Sequence, residues 1–329
     1  MKRRAFITKS AQSGLALSVL GMYACTSKKS SDAIEIIKES APFFKLSLAQ
    51  WSFHKAIRDA KTLSAFDFAK KAKSMGFEGV EYVNQLYQID KNNRLASIQK
   101  LAKELKLRSD DVGIENVMIM IDHEGDLSVS DKSIRDATIA QHTSWVDAAA
   151  EMGCSSIRVN LFGDEGEKDE QAWHDGSVDG MGRLAEYAAK SNINVIVENH
   201  GGLSSDAGKV AKVLAEINMS NCGSLPDFGN FCVRNDNGQR WGGNCIEQYD
   251  IYKGTEELMP FAKGVSAKAH DFNEAGFETT IDFVKMMQIV KDSGFKGFVG
   301  VEYEGNRLSE EEGILTTKEL LLKVVNQLT

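Results

Sequence analysis

Short apolar runs alternate with amphipathic stretches along most of the chain, in a repeating order of one strand followed by one helix. The first run covers residues 44–54, and SAFDFAKKAKSMG follows it, with Ser64 placed to cap a helix and Gly76 to end it. FEGVEYVN predicts a second strand and residues 94–107 a second helix. IENVMIMID pairs with a helix over 132–152, CSSIRVNLF with one over 180–191, and INVIVEN with one over 207–217. A sixth strand falls near 223–227, and a long excursion separates it from the helix before Gly264. GVSAKAHDF with 281–293, and FKGFVGVEY with 317–328, make the seventh and eighth units.

Eight strand–helix repeats predict an α/β fold in which the strands close into a (β/α)8 TIM barrel. The competing arrangement is a doubly wound sheet. Against it, LAQWSFHKAIRD follows the first strand without a single glycine, so no phosphate-cradling loop is present and no nucleotide cofactor is expected. Only three prolines occur, and no low-complexity linker interrupts the repeats, so residues 44–329 read as one domain.

The first 25 residues do not share this pattern. They have a basic start at Lys2, Arg3 and Arg4, an apolar stretch over 14–20, and small Ala24 before Cys25. The Arg pair followed by Ala5-Phe6-Ile7 resembles a twin-arginine export signal, and Met22-Tyr23-Ala24-Cys25 resembles a lipoprotein cleavage box. The expectation is an exported, periplasmic protein anchored to the membrane by lipid at Cys25, with 26–43 as a tether. The apolar stretch is too short to span a bilayer. Removing residues 1–24 takes away four positive charges and moves the formal charge from -8 to -12. An acidic body of this kind has no general attraction for nucleic acid. Cys232 and Cys245 could pair in oxidising surroundings, whereas Cys154 and Cys222 begin apolar runs and read as small buried residues.

Candidate chemistry sits at the ends of strands five to eight, where Glu198, Asp227, His270 and Glu302 stand at corresponding points of consecutive units. In a barrel, neighbouring strand ends converge. Three carboxylates and one imidazole there form a ligand set for a divalent cation, Mn2+ above Mg2+, Co2+ or Zn2+. Alternation places His200 on the face of Glu198, and Lys268 two residues before His270. Arg158 and Asn160 share a face at the end of strand four, where Arg158 can bind substrate or pair with Glu81 or Glu198. Glu81 ends strand two, Trp51 follows strand one, and Trp241, Tyr249 and Tyr252 lie in the excursion after strand six. His123 and Asn230 complete the candidate substrate-binding set, and Glu304 is expected outside the inner site. The acidic segment GDEGEKDEQAWHDGSVDG reads as a loop at the same mouth.

Four segments, Val-Ile-Val-Glu198-Asn-His, Leu-Pro-Asp227-Phe-Gly-Asn, Ala-Lys268-Ala-His270-Asp-Phe and Val-Glu302-Tyr-Glu, resemble the xylose isomerase-like barrel superfamily, over roughly residues 44–328. The resemblance implies one divalent ion held by Glu198, Asp227, His270 and Glu302, with Glu198 and Glu302 exchanging substrate protons. Ketose epimerases of this group usually carry a His three residues after the metal Asp, and here that position is Asn230.

Such a site enolises a carbon beside a carbonyl, and Glu198, Glu302, His200 and Lys268 are the candidate catalytic residues. Isomerisation or epimerisation of a non-phosphorylated sugar is the first expectation. A lyase or hydratase acting on 3-keto-glycosides or 3-keto-sugars is the second, and a non-catalytic sugar-binding lipoprotein the third. The acidic mouth disfavours a sugar phosphate. A sugar 3-oxidoreductase is the expected pathway companion of the second alternative.

Overall fold

A computed structural model describes residues 41–164 and 169–328. The proposed export signal, Cys25 and most of the tether lie outside the described residues. Among the described residues, no helix is long and apolar enough to cross a membrane.

Eight of the strands are β1 (Lys45–Ala49), β2 (Gly79–Val83), β3 (Glu115–Met120), β4 (Ser156–Val159), β5 (Asn194–Glu198), β6 (Cys222–Leu225), β9 (Val265–Ala269) and β10 (Phe298–Tyr303). They form one parallel sheet in the order β6-β5-β4-β3-β2-β1-β10-β9. The two ends of this series meet. Ser266 N–H donates to the Pro226 carbonyl at 2.9 Å, Phe228 N–H to the Ser266 carbonyl at 3.1 Å, and Lys263 N–H to the Ser224 carbonyl at 3.0 Å. The sheet is therefore a closed (β/α)8 TIM barrel.

The remaining strands, β7 (Cys232–Asn235) and β8 (Cys245–Gln248), form an antiparallel hairpin within the excursion after β6. The Cys232–Cys245 disulfide ties its two strands together. The sequence left that pairing open. Cys154 and Cys222 are free and buried, as expected.

The helices are α1 (Phe68–Ser74), α2 (Arg94–Val112), α3 (Lys132–Met152), α4 (Glu170–Ala189), α5 (Ala207–Ile217), α6 (Ile251–Leu258), α7 (Phe283–Asp292) and α8 (Glu310–Val325). Asp131, Asp169, Asp206, Asp250 and Asp282 cap α3 to α7 by accepting from backbone N–H groups of the first turn. Strand β10 is buried along its whole length, as both faces of a helix-covered parallel sheet require. The main core lies between strands and helices. A smaller apolar cluster of Ala49, Val83, Met118, Met120, Ile196 and Leu225 fills the barrel itself.

Two predictions need correction. The segment 163–180 is not all loop, because α4 begins at Glu170 and Asp169 caps it. Gly176 and Gly180, which suggest a loop by composition, instead press α4 against the backbone of Ser128 and Leu127. Helix α8 begins at Glu310, well before residue 317, where Ser309 and Glu312 form a reciprocal capping box.

Candidate active site

Alternation along the short strands turns Glu81, Arg158, Glu198, Lys268 and Glu302 into the barrel, and the loops after the strands add polar groups above them. A cavity of about 590 Å³ opens there. Trp51, His123, Arg158, Asn160, Glu198, His200, Asn230, Trp241, Lys268 and Glu302 all line it. Ten of the positions chosen from sequence thus meet at one mouth.

Three carboxylates form the floor. Glu198, Asp227 and Glu302 each offer an oxygen within 4.8 Å of the other two, and all three are buried. A divalent ion could be held between oxygens so spaced. His270 is not a member of this group, and its side chain is exposed. The backbone of β9 ends at Ala269, so the sheet no longer fixes where the next side chain goes.

Each floor carboxylate has its own partners. Arg158 Nε lies 3.0 Å from Glu198 Oε2, and Asn230 Nδ2 donates to Glu198 Oε1 at 3.0 Å. Asp227 Oδ1 accepts from the backbone N–H groups of Gly229 and Asn230, both at 2.8 Å. Ser266 Oγ lies 2.7 Å from Asp227 Oδ2 and 2.9 Å from Glu302 Oε2. A hydroxyl carries one proton, so this run of three oxygens satisfies both contacts only when a carboxyl supplies a second. Burial supplies the drive. It pushes all three carboxyls above their usual range, with Arg158 and Lys268 opposing it at Glu198 and Lys268 opposing it at Asp227 and Glu302. Glu302 is held well above its usual range and lacks the direct Arg158 pairing of Glu198.

Lys268 is the positive charge among them. Its Nζ donates to Glu304 Oε1 at 2.6 Å and lies 3.6 Å from Asp227 Oδ2 and 3.7 Å from Glu302 Oε1. Burial pulls its pKa down, but Asp227, Glu302, Glu304 and Glu198 more than offset this and hold the ammonium protonated. Glu304 belongs to the inner site, contrary to expectation: it lines the cavity, and Lys268 overcomes its partial burial to hold it ionised down to about 2.

His200 closes one side. Asn160 Nδ2 donates to Asp122 Oδ1 at 2.8 Å, so Asn160 Oδ1 faces the imidazole and accepts from His200 Nδ1 at 2.9 Å. That fixes Nδ1 as the protonated nitrogen and leaves Nε2 as an acceptor. Burial first, then the charges of Arg158 and Lys268, lower the His200 pKa to about 3, so the ring is neutral near pH 7. Phe162 and Trp241 flank it, with ring centroids 5.5 and 4.9 Å away.

Glu81 sits beneath the cavity rather than on its wall. Ser47 Oγ donates to it at 2.6 Å, its other oxygen has no partner, and burial raises its pKa to about 7. Arg158 does not pair with Glu81. It pairs with Glu198 and with Asp122, the latter at 2.8 Å. Tyr249 and Tyr252 turn away from the mouth, toward Glu257 and the start of α7. Sequence reasoning missed Asp122, Asp126, Gln85, Phe162 and Arg240, which also line the cavity. Asp122 was findable, because it follows the last apolar residue of the third strand as Glu198 ends the fifth.

A family model described as xylose isomerase-like TIM barrel matches residues 69–324. The chain belongs to this family. No curated protein matches it by sequence. Among solved structures, 3-keto-D-glucoside 4-epimerase YcjR from E. coli is similar with a TM-score of 0.64 and 14% identity, over 85% of this chain and 99% of that one. The IOLI protein with a bound zinc atom gives a TM-score of 0.63 and 16% identity, over 87% and 99%. A xylose isomerase-like TIM barrel protein from Mycobacterium smegmatis, in complex with magnesium, gives 0.60 and 14%, over 86% and 97%.

Metal-containing structures in this xylose isomerase-like group raise the question of whether the acidic floor suits an ion here. Oxygen spacing allows it, but the ammonium of Lys268 lies 3.6 Å from Asp227 Oδ2 and 3.7 Å from Glu302 Oε1. A divalent ion placed among these oxygens would have to share them with the ammonium and would be repelled by it. With Lys268 where it stands, its ammonium already offsets two of these carboxylates, and a divalent ion would have to displace it.

Proposed function

We propose that this protein moves a proton on a carbon beside a carbonyl in a small neutral sugar, and so acts as a sugar isomerase or epimerase. The observation that carries the reading is the convergence of Glu198, Glu302, Lys268 and neutral His200 on one cavity floor. One similar structure is that of a 3-keto-D-glucoside 4-epimerase, which points the same way through a likeness of fold.

Glu198, ion-paired with Arg158, is the carboxylate better suited to accept a proton. Glu302, which burial favours in its neutral form, is better suited to give one back. The enediolate that forms between these steps carries negative charge on oxygen, and a cation at the floor offsets it. His200 Nε2 is placed to accept a hydrogen bond from a sugar hydroxyl. Trp51 and Trp241 offer apolar faces for the ring. Asp122, Asp126, Glu198, Glu302 and Glu304 outnumber Arg158, Lys268 and Arg240 on the cavity wall, which disfavours a phosphorylated substrate.

The expected metal, Mn2+, would use Glu198, Asp227 and Glu302 and would require Lys268 to move aside. Export to an oxidising compartment is supported by the Cys232–Cys245 disulfide. Elimination from a 3-keto-glycoside shares the first proton transfer, so one assay addresses both outcomes. Incubation with ketoses and 3-keto-glucosides in D2O, followed by NMR, should show deuterium entering one carbon. Glu198→Gln and Glu302→Gln should each slow that exchange by about 100-fold or more. Aglycone release would redirect the assignment to a lyase. Tight sugar binding with no exchange would reduce the protein to a binding module.

A further inference from the structure

We infer that the ammonium of Lys268 is itself the resident cation of this acidic floor, standing against two of the three carboxylates that would otherwise hold a divalent ion, and that the chemistry runs without a metal. The inference rests on the reading of the site as an enolising one, but its central observation is geometric.

Lys268 projects from β9 between the strands that carry Asp227 and Glu302, and in the ladder it stands directly beside Glu302. Its side chain is 4% exposed, yet three carboxylates lie within 3.7 Å of Nζ. Only Glu304, at 2.6 Å, is at hydrogen-bonding distance; Asp227 and Glu302 are ion-pair neighbours. An ammonium has three donors, so two remain for an incoming oxygen at the cavity surface that Lys268 helps to line. His270, the one imidazole the sequence offers at this strand end, stays exposed and outside the acidic group. Protein donors already occupy several of the other oxygens: Asp227 accepts from Ser266 and two backbone N–H groups and Glu198 Oε1 from Asn230, while Glu198 Oε2 faces Arg158 Nε as an ion-pair neighbour.

In the reaction, the C–H bond beside the carbonyl breaks and its proton passes to Glu198. The electron pair moves into the new C–C double bond, and the carbonyl oxygen becomes an oxyanion that accepts from Lys268. Returning a proton to carbon reverses the charge shift, and no oxidant or co-reactant is consumed. Lys268 is a hydrogen-bond donor throughout and forms no covalent bond.

The test begins with metal content. The full chain, purified without chelator and then dialysed against Mn2+, Zn2+ or Mg2+, should retain fewer than about 0.1 ions per chain by mass spectrometry, and 1 mM Mn2+ should leave its melting temperature unchanged. Lys268→His, which trades the ammonium for a neutral donor, should gain about one ion per chain. EDTA should change deuterium exchange by less than about two-fold, and Lys268→Met should reduce it by about 100-fold or more. One ion per wild-type chain, or exchange that stops with EDTA and returns with Mn2+, overturns the inference. So does borohydride trapping of substrate on Lys268. If no sugar exchanges under any condition, the enolising reading fails, while the ion counts still decide what occupies the floor.

Discussion

Arg158 Nε lies 3.0 Å from Glu198 Oε2, and the two side chains are only 4% and 2% exposed. The same guanidinium donates to Asp122 and Asn160, so one cation orders two carboxylates and, through Asn160, the tautomer of His200. Removing it leaves buried charge without a partner. Arg158→Met should therefore cost about 3–5 kcal/mol in urea denaturation. Arg158→Lys should fall between, because an ammonium cannot reproduce the planar fork that donates to Asp122 and Asn160 while facing Glu198. A loss below about 1 kcal/mol for the Met variant would show that the carboxylates are neutral or solvated instead.

Glu81 predicts a pH dependence. Its folded pKa of about 7 lies above the ordinary 4.5, so the folded protein holds this proton more tightly than the unfolded chain. The stability linked to it is fully present below pH 4.5 and is lost as pH rises through 7, by about 3 kcal/mol in total. His200 works in the opposite sense. Its folded pKa of about 3 makes stability rise as pH climbs from 3 toward 6.5. The two overlap, so the informative quantity is the difference between wild type and Glu81→Gln. That difference should shift in favour of the variant by about 3 kcal/mol between pH 4.5 and 8. A constant difference would place the carboxylate in contact with water.

Helix α4 shows how local composition misled the reading of one element. GDEGEKDEQAWHDGSVDG is acidic and rich in glycine, which are loop signals, and its only apolar side chains are Ala172, Trp173 and Val178. The glycines are there for packing. A Cβ on Gly180 would approach the Leu127 carbonyl oxygen to 1.9 Å. Gly180→Ala should improve helix propensity yet destabilise the protein by about 1–3 kcal/mol in thermal or urea melts. Stabilisation would mean that the two backbones can separate at little cost.

The barrel was legible because eight apolar runs repeat at regular spacing, and α3 and α5 match their predicted limits of 132–152 and 207–217. Strand-end position alone brought Glu198, Asp227 and Glu302 together. His270 lies outside that group, one residue past the end of β9 at Ala269. Lys268, still inside the ladder, is the residue that faces the carboxylates. Glu304 follows the end of β10 by one residue and was placed outside the inner site, yet a lysine two strand positions away draws it in. Such long-range pairing leaves no trace in local spacing.

Trp241 reaches the cavity from the connection between β7 and β8, the hairpin that the Cys232–Cys245 disulfide ties. Its indole packs on His200 although nearly half of its surface is exposed. Asn235 Nδ2 donates to the Gln239 and Arg240 carbonyls and so helps hold the tip that presents Trp241. None of these groups touches the acidic floor in the way Lys268 does, so they should govern substrate capture more than the proton transfer. Trp241→Ala should raise KM for a sugar by about 10-fold with kcat within about three-fold, the loss of roughly one aromatic contact. A Cys232→Ser/Cys245→Ser double variant, or reduction of the wild type, should move KM in the same direction by a smaller factor. Steady-state kinetics of both would check the split. A fall in kcat with KM unchanged would instead assign the hairpin a part in the chemical step, through the ring of His200 that it covers.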